Sequence, residues 1–214
     1  MTKVCGITRE EDIRACAELN IDRIGFIFHP SSPRYVSPEQ VDGFSRTKAQ
    51  RVGVFVHQNP QEIEVCMCKA KLDLAQLHGS QDPAFCRTIG PDRVMKVLWP
   101  QRYSSPQAMQ KDLDRFAPLC SAFVLDSGRK GGGHGQTLDT TWLSELEFPR
   151  PWFLAGGLGP DTLPDLLKTC KPDGVDLNSG VEFEPGVKDR KLIEICLHQL
   201  TIFSCNPSYS RSRQ

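Results

Sequence analysis

The chain has 214 residues, with 26 lysines and arginines against 26 aspartates and glutamates and a formal net charge of zero. That balance lacks the concentrated basic excess that a nucleic-acid or membrane-surface partner requires. The composition, 39% hydrophobic and 24% charged, is that of a globular protein rather than a disordered one. At this length folding buries roughly 70% of the accessible surface. No stretch approaches the roughly 18 apolar residues of a membrane helix. The start, Met1-Thr2-Lys3-Val4-Cys5, runs directly into a strand-like segment, so no secretory signal is expected. Nine cysteines, an odd number scattered among apolar neighbours, read as reduced thiols in a cytoplasmic setting.

In chain order, β-rich runs occur at Lys3–Ile7, Arg23–Phe28, Arg51–Val56, Leu74–His78, Val94–Trp99, Ala122–Asp126, Trp152–Ala155 and Gly174–Leu177. Amphipathic stretches such as Glu10–Leu19, Pro60–Ala70, Thr162–Leu167 and Lys188–Leu200 lie between or after them, with apolar residues returning at helical spacing. Eight strand–helix units of about 27 residues each predict an α/β chain folded as a single parallel (β/α)8 TIM barrel, short but workable for that fold. A doubly wound open sheet would carry a Gly-rich fingerprint after its first strand, and Cys5-Gly6-Ile7-Thr8 is not one. No linker with a change of composition interrupts the chain, so residues 1–203 are read as one barrel domain and Ser204–Gln214, Ser/Arg-rich and aperiodic, as a disordered tail.

A barrel of this kind carries its chemistry at the C-terminal ends of the strands. Those positions hold Cys5-Gly6, the His29–Ser37 loop with Arg34, His78-Gly79, Asp126 followed by the Gly-rich loop Gly128–Gly135, Gly156-Gly157, and Asp176 followed by Asn178-Ser179-Gly180. Gly156 and Gly157 after the seventh strand and Ser179 and Gly180 after the eighth are adjacent in a barrel. Their backbone N–H groups are suited to a phosphate, although glycines also serve simply to end strands. Cys5 is a candidate nucleophile or general base, against the alternative of a buried filler thiol. Asp126, closing the apolar run Phe123-Val124-Leu125, is a candidate general acid, against a capping or loop-bonding role. Taken from residue chemistry alone, this is an acid, a base and a phosphate anchor without a named reaction.

The motifs Lys3-Val4-Cys5-Gly6-Ile7-Thr8, Ser32-Pro33-Arg34-Tyr35-Val36-Ser37, Arg51-Val52-Gly53-Val54-Phe55-Val56, Gln76-Leu77-His78-Gly79, Leu125-Asp126, Gly132 to Gln136, Ala155-Gly156-Gly157-Leu158 and Val175-Asp176-Leu177-Asn178-Ser179-Gly180-Val181-Glu182 recur together and in order over about residues 3–200. Their combination resembles the phosphoribosylanthranilate isomerase family of tryptophan biosynthesis. The resemblance implies an Amadori rearrangement without metal or organic cofactor, with Cys5 as general base and Asp126 as general acid. It further implies Arg34 on the anthranilate carboxylate, Asp176 on a sugar hydroxyl, and Gly156, Gly157, Ser179 and Gly180 on the phosphate. His134 and Leu138-Asp139-Thr140 depart from the family's usual residues and predict a differently packed sixth loop; Asn178 replaces a frequent serine.

Metal chemistry finds little support. Two residues along a helix turn through about 200°, so Cys66 and Cys68 would face opposite ways. Of the five histidines only His78 qualifies as a strand-end ligand, where it would meet substrate or orient that end, while His29, His57 and His198 read as solvent-facing or core-satisfied. The expected partner is a small phosphorylated molecule, with a monomer and a homodimer both open. Two other readings are a metal-dependent epimerase on the same fold, revealed by a need for added divalent metal, and a non-catalytic phosphometabolite binder, in which Cys5 and Asp126 would be dispensable.

Overall fold

The computed structural model describes residues 1–126 and 141–205. Eight parallel strands close into a barrel in sequence order: β1 (Thr2–Val4), β2 (Arg23–Ile27), β3 (Gln50–Phe55), β4 (Leu74–Leu77), β5 (Val94–Leu98), β6 (Ala122–Asp126), β7 (Trp152–Ala155) and β8 (Gly174–Leu177). β1 completes the ring by pairing with β8, Lys3 opposite Asp176. Helices α1 (Glu10–Glu18), α2 (Pro38–Gly43), α3 (Pro60–Ala70), α4 (Pro83–Ile89), α5 (Pro106–Phe116), α6 (Leu163–Thr169) and α7 (Arg190–Cys205) follow the strands. The expected barrel is therefore the observed one. No helix among the described residues is long and apolar enough to cross a membrane.

Four helices start on the same local device. Ser37, Asn59, Asp82 and Ser105 each accept a hydrogen bond from the backbone N–H three residues on, and each is followed by proline at the first helical position. The side-chain oxygen satisfies an N–H that the helix leaves orphaned, and proline has no N–H to lose there. At the other end of two helices, Arg51 of β3 is almost wholly buried. It donates to the carbonyls of Val41, Ala70, Phe44 and Ser45 at 2.7 to 3.2 Å, closing the C-terminal ends of α2 and α3.

Strand side chains alternate between two cores. The larger lies between strands and helices, with Val4, Ile24, Phe26, Phe55, Leu77, Phe123, Leu125 and Leu154 among its buried members. Val52, Leu74, Met95, Val97, Ala122, Val124, Phe153 and Ala155 form the second, inside the barrel. Beneath them the Arg23 guanidinium lies 4.8 Å over the Phe153 ring. Above this apolar filling, Cys5, Asp126 and Asp176 stand at the mouth, where the strands end.

Three elements have boundaries that differ from expectation by more than one residue. β1 ends at Val4 rather than Ile7, because Gly6 adopts φ +72° and turns the chain out of strand geometry, although Cys5 N–H still donates to Leu177 O at 2.8 Å. α6 covers Leu163–Thr169 instead of Thr162–Leu167. Lys188 is not helical. It closes a hairpin of β9 (Glu182–Glu184) and β10 (Val187–Lys188) turned at Pro185-Gly186, and α7 begins after it and continues through Cys205, two residues past the expected domain edge. The remainder of the expected tail, 206–214, lies outside the described residues.

Candidate active site

Asp126, Gly156-Gly157, Asp176 with Ser179-Gly180, Cys5 and Arg34 belong to β6, β7, β8, β1 and the loop after β2, five consecutive positions round the rim. The acid and base candidates are thus separated by the two strands whose loops carry the glycines. The Gly-rich loop Gly128–Gly135, with His134 and the nearby Leu138, lies outside the described residues.

Cys5 is buried, 4% exposed. Its neighbour in strand alternation, Lys3, is fully buried and contacts both oxygens of Asp176, at 2.8 and 3.0 Å. Burial pushes the Cys5 thiol up, and the ammonium groups of Lys3 and Lys188 oppose that rise. Burial, with a smaller push from Glu39, drives the distant Cys66 thiol up to about 12. Lys3 is held above its ordinary value: burial acts against its charge, but Asp176 and Cys5 outweigh it. Burial likewise pushes Asp176 up against the pull of Lys3. Contacts on both carboxylate oxygens make the ion pair the resting arrangement. Asp176, expected on a sugar hydroxyl, is therefore also the anchor of Lys3.

Arg34 already faces a carboxylate. Its Nε lies 2.9 and 3.1 Å from the two oxygens of Glu182 and its Nη2 2.5 Å from one of them, so the Nε side of the fork is occupied. Lys188 Nζ donates to the same carboxylate at 2.6 Å and to Asn178 Oδ1 at 2.9 Å. Burial pushes the Glu182 carboxyl up, but Arg34 and Lys188 together hold it below the usual range. Gly6 makes this assembly possible: a side chain there would stand 2.7 Å from both Arg34 Cδ and Asn178 Oδ1. A guanidinium has five N–H donors, and among the described residues none pairs with Nη1, an edge suited to a second carboxylate.

Asp126 is 19% exposed, with Oδ2 3.3 Å from His78 Nε2. Burial lowers His78 against the opposing pull of Asp126, which favours the neutral imidazole at neutral pH. The His78 ring meets Trp99 edge-on at 5.3 Å, and the Arg102 guanidinium lies 4.0 Å over the indole. These contacts join the imidazole at the end of β4 to the carboxyl at the end of β6. His29 and His57 contact each other edge-on at 5.4 Å, away from this group.

Gly156 and Gly157 have φ of +104° and +68°. The loops after β7 and β8 touch backbone to backbone: a Cβ on Gly180 would stand 2.1 Å from Leu158 O, and one on Gly159 2.4 Å from Gly180 O. Gly180 is therefore required for the approach of the two loops, whatever they bind. Cys66 is buried and Cys68 exposed, the divergence expected of their spacing.

A family model described as N-(5'-phosphoribosyl)anthranilate (PRA) isomerase matches residues 2–199. The chain belongs to the phosphoribosylanthranilate isomerase family. The N-(5'-phosphoribosyl)anthranilate isomerase of Maridesulfovibrio salexigens is 47% identical over 190 residues, covering 89% of this chain and 93% of that protein. A crystal structure of phosphoribosyl anthranilate isomerase from Thermotoga maritima superposes with a TM-score of 0.80 at 31% identity, covering 94% and 98% of the two chains. A second isomerase structure, in complex with reduced 1-(o-carboxyphenylamino)-1-deoxyribulose 5-phosphate, gives 0.77 at 30% identity and covers 94% and 97%. Within this phosphoribosylanthranilate isomerase barrel, residue-by-residue reading missed Lys3, Glu182 and Lys188. The first shares strand parity with Cys5, and the other two flank the Pro185-Gly186 turn signal, so each had a trace in the sequence.

Proposed function

We propose that Cys5 is the general base and Asp126 the general acid of the family's Amadori rearrangement, with the ligand's phosphate on Gly156, Gly157, Ser179 and Gly180. As a family member the chain converts N-(5-phosphoribosyl)anthranilate to 1-(2-carboxyphenylamino)-1-deoxyribulose 5-phosphate in tryptophan biosynthesis. The observation that carries the assignment is the order round the rim: a carboxyl on β6 and a thiol on β1, with the two touching glycine loops of β7 and β8 between them. A ligand anchored by phosphate on those loops lies within reach of both groups.

Asp126 protonates the furanose ring oxygen, the C1–O bond opens, and the anilino nitrogen forms a protonated imine. Cys5, as thiolate, removes the C2 proton, and the electron pair moves into the imine to give an enolamine. Protonation at C1 and loss of the C2 hydroxyl proton yield the ketone. Each proton transfer by a positioned group is worth about 10²–10⁴-fold. Arg34 holds the anthranilate carboxylate on the fork edge that Glu182 leaves, and Asp176 meets a sugar hydroxyl. The nine unpaired cysteines, seven of them buried, support a reducing, cytoplasmic setting.

Loss of substrate fluorescence after adding enzyme to freshly made phosphoribosylanthranilate measures turnover, and the role of each group follows from its variants. Arg34→Lys is expected to raise product Kd about tenfold or more with the charge kept, because lysine cannot serve Glu182 and a second carboxylate from one planar fork. An unchanged product Kd puts the carboxylate elsewhere. In Gly180→Ala the added methyl meets Leu158 O and parts the two loops. Product Kd and the inhibition constant of inorganic phosphate are both expected to rise about tenfold or more, with the circular dichroism spectrum retained. Unaltered phosphate inhibition would remove these loops from the anion site.

A further inference from the structure

Lys3, Asp176 and Cys5 form a buried group at the start of the barrel mouth whose arrangement goes beyond an ion pair. Lys3 has three N–H donors, and its two contacts to Asp176 leave one. Opposite them, on β2, stands Gly25. A Cβ at that residue would lie 2.7 Å from Cys5 Sγ and 2.9 Å from Lys3 Nζ, so sulfur and ammonium share the gap that the missing side chain opens. A thiolate in a site that is 4% exposed has little water to stabilise it and needs a fixed positive charge. Among the described residues, Lys188 on β10 and Arg34 on the loop after β2 are further cations whose field reaches the thiol, and both are engaged by Glu182. Lys3 is the cation whose carboxylate partner, Asp176, itself borders the sulfur.

We infer that Lys3 is the positioning residue that supplies the counter-charge of the Cys5 thiolate, and that Asp176 divides this ammonium between itself and the sulfur. Its catalytic consequence rests on Cys5 being the base. Removing Lys3 then makes thiolate formation harder, and neutralising Asp176 makes it easier. Burial dominates the thiol's acidity, Lys3 opposes it most strongly, and Asp176 adds to it by a smaller amount. A purely structural Lys3–Asp176 pair predicts no such opposition of sign, since losing either partner would only loosen the fold.

The experiment is alkylation of the intact protein by iodoacetamide across a pH series, with modification of each cysteine followed by peptide mass spectrometry. Exposed Cys68 and Cys205 serve as internal references. The titration midpoint is read rather than the rate, because nucleophilicity falls along with thiol pKa. Relative to wild type, the Cys5 midpoint is expected to rise by about one pH unit or more in Lys3→Met, the scale set by a charge within a few ångströms. It is expected to fall in Asp176→Asn and to rise by a smaller amount in the nearly isosteric double variant Lys3→Met/Asp176→Asn. If Lys3→Met does not fold, the double variant and Asp176→Asn still carry the opposition of sign. Midpoints that stay at the wild-type value, or that move in one direction in all variants, overturn the inference. The pH profile of kcat/KM, measured alongside, separates it from the proposed mechanism: midpoints that move as expected without any movement of that profile leave the pairing standing and remove Cys5 as the base.

Discussion

Cys5→Ser is expected to lower kcat by about 10²-fold or more while leaving the fold intact, the loss appropriate to a missing general base. The substitution changes one buried atom, and the smaller oxygen fits the gap that Gly25 leaves for the sulfur. What changes is acidity. A thiol beside Lys3 has access to its anion even though burial pushes it up, whereas an aliphatic hydroxyl in the same place stays protonated throughout the working range. The hydroxyl keeps a polar partner in the buried Lys3 ammonium beside it, so the urea midpoint is expected to stay close to wild type. Turnover followed by fluorescence and unfolding followed by circular dichroism check the two halves on one preparation. Retention of more than about a tenth of wild-type kcat is incompatible with Cys5 as the base.

Asp126→Asn is expected to separate chemistry from binding. The amide is nearly isosteric and keeps an oxygen facing His78 Nε2, which lies 3.3 Å from the native carboxylate. The phosphate loops of β7 and β8 and the fork of Arg34 are untouched. What the amide lacks is a proton of suitable acidity for the ring oxygen, and without ring opening the imine that makes the C2 hydrogen acidic never forms. We expect kcat to fall about 10²-fold or more, with product Kd changed by less than about 1.4 kcal/mol, which is tenfold. Steady-state kinetics and product titration distinguish the outcomes. Normal turnover, or equal losses in binding and turnover, would make Asp126 a positioning group for ligand or loop.

The contrast between Cys5 and the other buried thiols explains why residue type alone was a weak guide to the site. Cys16, Cys66 and Cys120 are also buried in apolar surroundings, and burial drives each up to about 12. Their sequence neighbourhoods look no less suitable than Val4-Cys5-Gly6. What distinguishes Cys5 is a strand end on the barrel rim, a lysine two residues earlier and a glycine on the next strand. The strand end and the lysine can be read along one segment. The glycine matters only because β2 pairs with β1 in the register Lys3 to Arg23, which sets Gly25 beside the thiol.

By itself the sequence determined the eight strands to within a few residues, the barrel they form and the rim positions, because these depend on local alternation, helix spacing and cap chemistry such as Ser37-Pro38 and Asn59-Pro60. The assembled barrel alone decided who partners whom. Arg34 meets Glu182 across 148 positions of chain, and Lys3 meets Asp176 across 173. Lys188, whose place in the sequence reads as a helix start, is instead turned by a hairpin onto the same carboxylate as Arg34. Such contacts are legible only in three dimensions. Charge pairing in a buried mouth depends on which strand ends closure brings together, and closure joins β1 to β8 from opposite ends of the chain.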